Sequence, residues 1–322
     1  MRKGALYSLR FEAKGAREII LNEGAEGGEL LRFRVESPLS GAEMYTAAQL
    51  FRAVSGMEGE VPEILVEHAS VGPDFLPVLI ARPRLPENRT LPFMLMQHGF
   101  GTNKEKAFRH GIRFAAAGFL TVLPDAPLHG ERYDSRAFAE RFGDGAETRA
   151  SLVYRLELLR STLRENLALL EYFSADPRVD PERISTCGIS MGGTVALLAA
   201  ASDRRVKACA AFLPVTDFEN LPESPGLGAF SPGELAAIRS ADPLYVFQKA
   251  PSAAVFVLSG REDAVTGIEG VRRLDRLFAS AYRDRPDDYR YREFEGVGHD
   301  VTSAMAAEAA EWLAGKVFGS IY

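Results

Sequence analysis

The sequence predicts an α/β protein built on a doubly wound, mostly parallel sheet, with helical lid insertions and an N-terminal appendage. From Pro92 onward, short apolar runs that read as strands alternate with helical patterns, an order that places parallel strands between two layers of helices. Several of these runs, 93–97 and 254–258 among them, are almost continuously apolar, as expected of strands covered on both faces. At 322 residues the chain holds one large domain with an accessory segment, divided here as 1–60 and 61–322.

Residues 1–60 differ from the rest. Segments 17–21 and 30–35 read as short strands and 42–54 has apolar positions at helical spacing. This appendage is expected to pack on the main domain or on a second copy of the chain, so a homo-oligomer is one of the two arrangements it allows. Ile64–His68 and Leu76–Pro83 form an antiparallel pair around a Gly72-Pro73-Asp74 turn. Strand 93–97 ends in His98-Gly99-Phe100-Gly101; a helix over 105–117 and a strand over 120–124 complete a βαβ step. The chain then opens into Asp125-Ala126-Pro127-Leu128-His129-Gly130-Glu131. Residues 135–175 are helical in pattern, with a long helix over 152–173 and a lid element over 133–150.

A strand beginning at Ile184 runs into Gly188-Ile189-Ser190-Met191-Gly192-Gly193 and an Ala/Leu-rich helix. After a strand over 206–214, residues 215–250 carry Pro222, Pro225, Pro232 and Pro243 with two short helical patterns. They exceed the usual loops of α/β units and are read as a second lid element. A strand over 254–260, a helix over 265–281, an alternating strand over 289–294 and a closing helix over 303–318 finish the chain.

Bulk properties exclude several partners. A net charge of −6 leaves no electrostatic footprint for nucleic acid or an anionic membrane. No apolar run approaches bilayer length, and Met1-Arg2-Lys3 is followed by alternation instead of an apolar signal core, so a cytoplasmic protein is expected. Cys187 and Cys209 fall in apolar strand-like runs and are expected to be buried free thiols. No metal set and no cofactor motif emerges: His98 and His110 are too far apart in pattern to share a helix face.

Chemistry concentrates on Ser190. A strand, a tight turn and a helix surround it in the order that a G-x-S-x-G nucleophile elbow requires, and the glycines leave room where the turn crowds the strand end. A serine hydroxyl needs a base, and the base needs a carboxylate to fix its tautomer. Reactive groups in doubly wound sheets collect past the carboxyl ends of strands. Asp263 follows one strand and His299 follows the last, in Gly296-Val297-Gly298-His299. Asp217, Glu262 and Asp300 are rival carboxylates. The order Ser190, Asp263, His299 is the nucleophile, acid, base order of α/β-hydrolases. The N–H groups of Phe100 and Met191 are the expected oxyanion donors.

Residues from about 62 onward resemble the α/β-hydrolase superfamily. The motifs at 98–101, 125–131, 180–184 and 188–193 resemble its dienelactone hydrolase, acetyl xylan esterase and prolyl-oligopeptidase-like branch. The resemblance implies a cofactor-free carboxylesterase acting on a small-molecule ester, with an exopeptidase on short peptides as the alternative. True dienelactone hydrolases carry cysteine where this chain has Ser190. Substrate-pocket candidates are His98, Gly99, His129, Phe218 and Phe230, with Phe138, Phe142, Leu221 and Leu227 as further apolar surface.

Overall fold

Among the described residues, eleven strands assemble into one sheet in the computed structural model. The structure describes residues 7–14, 16–23, 29–35, 64–72, 74–84, 89–143, 149–220, 230–247 and 251–318. The strands are β1 (Tyr7–Lys14), β2 (Ala16–Glu23), β3 (Glu29–Val35), β4 (Ile64–Val71), β5 (Leu76–Pro83), β6 (Leu91–Gln97), β7 (Leu120–Pro124), β8 (Val179–Ile189), β9 (Val206–Phe212), β10 (Ala254–Gly260) and β11 (Tyr289–Phe294). Their spatial order is β1-β2-β3-β4-β5-β7-β6-β8-β9-β10-β11. From β7 to β11 every neighbour pair is parallel. β4 and β5 form the expected antiparallel hairpin, and β5 joins the parallel block antiparallel to β7.

The N-terminal strands extend this sheet. β1, β2 and β3 are antiparallel neighbours, and β3 pairs parallel with β4 through Phe33, Arg34 and Val35 opposite Ile64, Leu65 and Val66. The helix expected over 42–54 lies outside the described residues.

Helices cover both faces because each strand offers apolar side chains to both. On one face α1 (Lys104–Ala116) and α8 (Ser303–Phe318) bury Phe108, Ile112, Met305, Ala309 and Leu313 against Met94, Met96, Ala210 and Phe256. On the other, α3 (Arg149–Ser174), α4 (Met191–Ser202) and α7 (Ile268–Ala281) bury Leu170, Phe173, Leu197, Leu274 and Phe278 against Phe93, Leu95, Cys209 and Val255. Cys187 belongs to the first layer and Cys209 to the second, so the sheet separates the two buried free thiols.

The expected lid regions contribute α2 (Ser135–Phe142), α5 (Pro232–Arg239) and α6 (Pro243–Val246). α5 opens on a capping box from Ser231 and Glu234, and Asp242 caps α6 while also accepting from Phe218 N–H. Leu221 and Leu227 lie outside the described residues. No helix among the described residues is long and apolar enough to cross a membrane.

Candidate active site

β8 leads directly into a strained turn. Ser190 has φ 56° and ψ −119°, a region that costs a non-glycine residue about 1–3 kcal/mol and persists only where its surroundings enforce it. The enforcing contacts are backbone: Ser190 N–H donates to Phe212 O at 2.8 Å, and Thr194 N–H donates to Ser190 O at 3.1 Å to start α4. A Cβ on Gly188 would stand 2.0 Å from Gly192 O, and one on Gly192 would stand 2.2 Å from Gln97 O. Those positions admit only glycine. Met191 opens α4, so its N–H has no acceptor within the helix and faces outward with the positive end of the dipole.

Asp263 and His299 arrive from the ends of β10 and β11. Gly260 lets their loops touch, since a Cβ there would lie 2.3 Å from the carbonyls of Val297 and Gly298. Asp263 Oδ1 accepts from Val265 N–H at 2.9 Å and Thr266 N–H at 3.1 Å; Oδ2 accepts from Thr266 Oγ1 at 2.8 Å. The same Oδ2 lies 2.8 Å from His299 Nδ1, and His299 Nε2 lies 3.0 Å from Ser190 Oγ. Burial pushes the Asp263 carboxyl up in pKa, yet the hydrogen bonds from His299 and Thr266 outweigh it and hold it below the usual carboxylate range. An ionised Oδ2 requires a donor at Nδ1, which leaves the Nε2 lone pair facing the serine hydroxyl. Two of the three rival carboxylates are committed elsewhere: Asp217 to Arg273 at 2.5 Å and Asn220 at 2.8 Å, and Asp300 to Arg109 at 3.1 Å.

The glycine-rich loop after β6 lies over the elbow. A Cβ on Gly99 would sit 3.4 Å from Ser190 Cβ, which places the Phe100 peptide beside Ser190. The Phe100 ring is locked between Phe142 at 5.0 Å, His129 at 5.4 Å and Phe138 at 5.7 Å, with the Arg155 guanidinium 4.7 Å over its face. His98 and His129, expected in the pocket lining, do not line the cleft around Ser190. Both are buried, because each ring is turned inward to hydrogen-bond the backbone of the loops beside it.

Two hollows meet at Ser190. One, of about 360 Å³, is walled by Gly99, Phe100, Thr102, Ala107, Ile189 and Val301, with Glu105, Lys106, Arg109 and Asp300 among its lining. The other, of about 310 Å³, is mostly apolar and runs between Met191, Val215, Phe218 and Val265 and the α3 residues Leu152, Leu156 and Leu159, with Arg155 beside them. Phe218 lines it as expected. Phe230 does not: it borders another hollow, of about 80 Å³, with Val153 and Ile238, on a stretch of α3 whose Leu152 and Leu156 line both. Phe138 and Phe142 back Phe100 from behind. The α3 wall was not legible in sequence, since its leucines share the helical spacing of any core-facing helix.

Behind the first hollow, the buried Lys104 ammonium meets Asp125 at 2.7 Å, Glu105 at 2.7 Å and Glu131 at 2.5 Å. Burial pulls its pKa down, but the three carboxylates outweigh this and raise it above the ordinary lysine value. Among the described residues, the one group with metal-ligand spacing is His68, Glu105 and Glu131. Lys104 Nζ already lies between its two carboxylates, so these residues do not fit a metal ion.

YitV of Bacillus subtilis (strain 168), whose name assigns it provisionally to the esterases, is 24% identical over 238 residues, 70% of this chain and 89% of YitV. Among solved structures, TT1662 from Thermus thermophilus superposes with a TM-score of 0.60 at 22% identity, over 78% of this chain and 98% of that one. A Mycobacterium tuberculosis puromycin-hydrolyzing peptidase superposes with a TM-score of 0.58 at 19% identity, over 97% of this chain and 46% of the peptidase. Both structural likenesses speak to the fold. Residues 76–311, which carry the elbow, the glycine-rich loop and the loops after β10 and β11, match the dienelactone hydrolase family, and the chain is a hydrolase belonging to that family.

Proposed function

We propose that the chain is a serine carboxylesterase that cleaves small or medium esters through an acyl-enzyme intermediate. The observation that carries this reading is the continuous chain from Asp263 through His299 to Ser190, at 2.8 and 3.0 Å, ending on a serine held at a strained elbow. Ser190 Oγ attacks the ester carbonyl while His299 Nε2 takes its proton. Charge developing on the carbonyl oxygen meets the N–H groups of Met191 and Phe100. The intermediate collapses, the alcohol leaves with the proton from Nε2, and water repeats the sequence to release the acid. Asp263 stays ionised throughout and holds the imidazolium.

An ester fits the cleft better than a peptide with a free terminus. The acids lining the first hollow are matched by cations, Glu105 by Lys104 and Asp300 by Arg109. The second hollow suits an apolar group of modest size. The family match and the YitV likeness support the esterase reading, and a cytoplasmic setting suits free thiols at Cys187 and Cys209. The test is a panel of p-nitrophenyl esters graded from acetate to laurate, run beside aminoacyl anilides. Short and medium esters should give the highest kcat/KM; faster turnover of the anilides would replace this reading with the exopeptidase.

A further inference from the structure

Two histidines outside the Ser190 chain bind each other's loops. The loops after β6 and β7 emerge side by side because those strands are parallel neighbours. His98 Nε2, on the first loop, accepts from Ala126 N–H of the second at 2.9 Å. His129 Nε2, on the second, accepts from Gly101 N–H of the first at 2.9 Å. A backbone N–H can only donate, so both Nε2 atoms are unprotonated and each neutral ring carries its proton on Nδ1. Both Nδ1 atoms face carbonyls, Gly99 O at 2.7 Å for His98 and Pro127 O at 2.8 Å for His129, which accept those protons.

Gly99 O belongs to the peptide that supplies the Phe100 N–H. The peptide is trans, so its N–H points opposite its carbonyl. That carbonyl accepts from His98 Nδ1–H, from Thr102 Oγ1–H at 2.9 Å and from Thr102 N–H at 3.3 Å. These donors fix the orientation of the peptide and polarise its N–H. Gly101 N–H, fixed by His129, holds the peptide on the other side of Phe100.

We propose that His98 and His129 are positioning residues, a reciprocal clasp that aims the Phe100 N–H at the carbonyl oxygen of a substrate on Ser190. The inference rests on the proposed serine esterase function. The clasp needs both rings neutral. Facing them are Asp125, 4.0 Å from His98 Nε2 and paired with Lys104, an ammonium it shares with Glu105 and Glu131, and Arg132, which is bound to Glu165. Burial is the larger influence: it lowers the pKa of His98 to about 4 and lowers that of His129.

The experiment compares wild type, His129→Leu, His129→Gln and Thr102→Val. The readouts are kcat and KM on p-nitrophenyl butyrate, the rate of Ser190 labelling by a fluorophosphonate, and the ¹⁵N-histidine NMR tautomers of the wild type. Removing one oxyanion donor costs about 10²–10³ in kcat, so a misaimed donor in His129→Leu should cost about 10- to 100-fold with KM nearly unchanged. His129→Gln, whose amide oxygen reaches the Nε2 position, should recover most of that loss. Thr102→Val, a near-isosteric change, should lower kcat about three- to tenfold. Wild-type kcat in both His129→Leu and Thr102→Val, or a Gln variant no better than Leu, overturns the clasp. So does an Nε2-protonated tautomer at either histidine, a result that holds even if His129→Leu does not fold. If the wild type is not labelled at Ser190, the esterase reading fails instead, and the tautomers still decide whether the clasp forms.

Discussion

Two buried histidines should make this fold acid-labile. Burial lowers the pKa of His98 from 6.5 to about 4, against the pull of Asp125. Burial together with Arg109 and Arg113 lowers that of His110 to about 3, and Arg109 Nε donates to His110 Nε2 at 2.8 Å. A group whose folded pKa lies below its unfolded value contributes stability in full above the unfolded value and loses it as pH falls toward the folded one. The window here runs from about 6.5 down to about 4 for His98 and about 3 for His110. At pH 4.5 nearly every unfolded molecule carries both protons while the folded one carries few. At 1.36 kcal/mol per pH unit each histidine then removes about 2–3 kcal/mol, about 5 kcal/mol together. Total stabilities of domains are about 5–15 kcal/mol, so the loss is decisive. Urea unfolding followed by circular dichroism at pH 7.5, 6 and 4.5 measures it. His110→Gln keeps an acceptor for Arg109 but does not titrate, so its stability should fall by about 2–3 kcal/mol less than that of the wild type over this range. A variant with the wild-type pH dependence would refute the assignment of the loss to His110.

Two further perturbations address the site. Asp263→Asn should lower kcat by about 10⁴ with the fold intact, because an amide no longer selects the Nδ1–H tautomer of His299. An equal fall in Asp217→Asn, whose carboxylate is bound to Arg273, would assign the acid elsewhere. Gly188→Ala should destabilise by about 3 kcal/mol or more, since its Cβ would meet Gly192 O at 2.0 Å and neither backbone can yield without opening the elbow. Gly233→Ala, in a helix with nothing within 4 Å, should be neutral or stabilising by about 0.5 kcal/mol; thermal melts of the pair check both.

The parts of this structure legible in sequence are those in which one residue type has one physical use. The near-continuous apolar runs of β6 and β10 mark strands buried on both faces, and both strands have every residue buried. The glycines around Ser190 mark backbone contact, visible as the 2.0 and 2.2 Å positions where a Cβ cannot stand. Asp263 and His299 stand out because each follows a strand, and strand ends of a parallel sheet converge. What was misread involves residues with several uses. His98 and His129 look like pocket residues because they flank glycine-rich loops, and only the direction of each ring shows them serving the backbone. Phe230 and Leu156 are equally apolar, and which of them reaches Ser190 depends on how α5 and α3 pack, a relation that local periodicity does not encode. β8 begins at Val179, ahead of Ile184, because Val179 pairs with Leu91 across an irregularity that no apolar pattern announces.

The account stands or falls on Ser190 as an activated nucleophile. Incubation with a fluorophosphonate, followed by peptide mass spectrometry, tests it directly, because ordinary serines do not react with such electrophiles while one bonded to a neutral imidazole does. One equivalent should attach at Ser190, with none in Ser190→Ala and much slower labelling in His299→Ala. An unlabelled wild type, or labelling that persists in Ser190→Ala, would contradict the central claim.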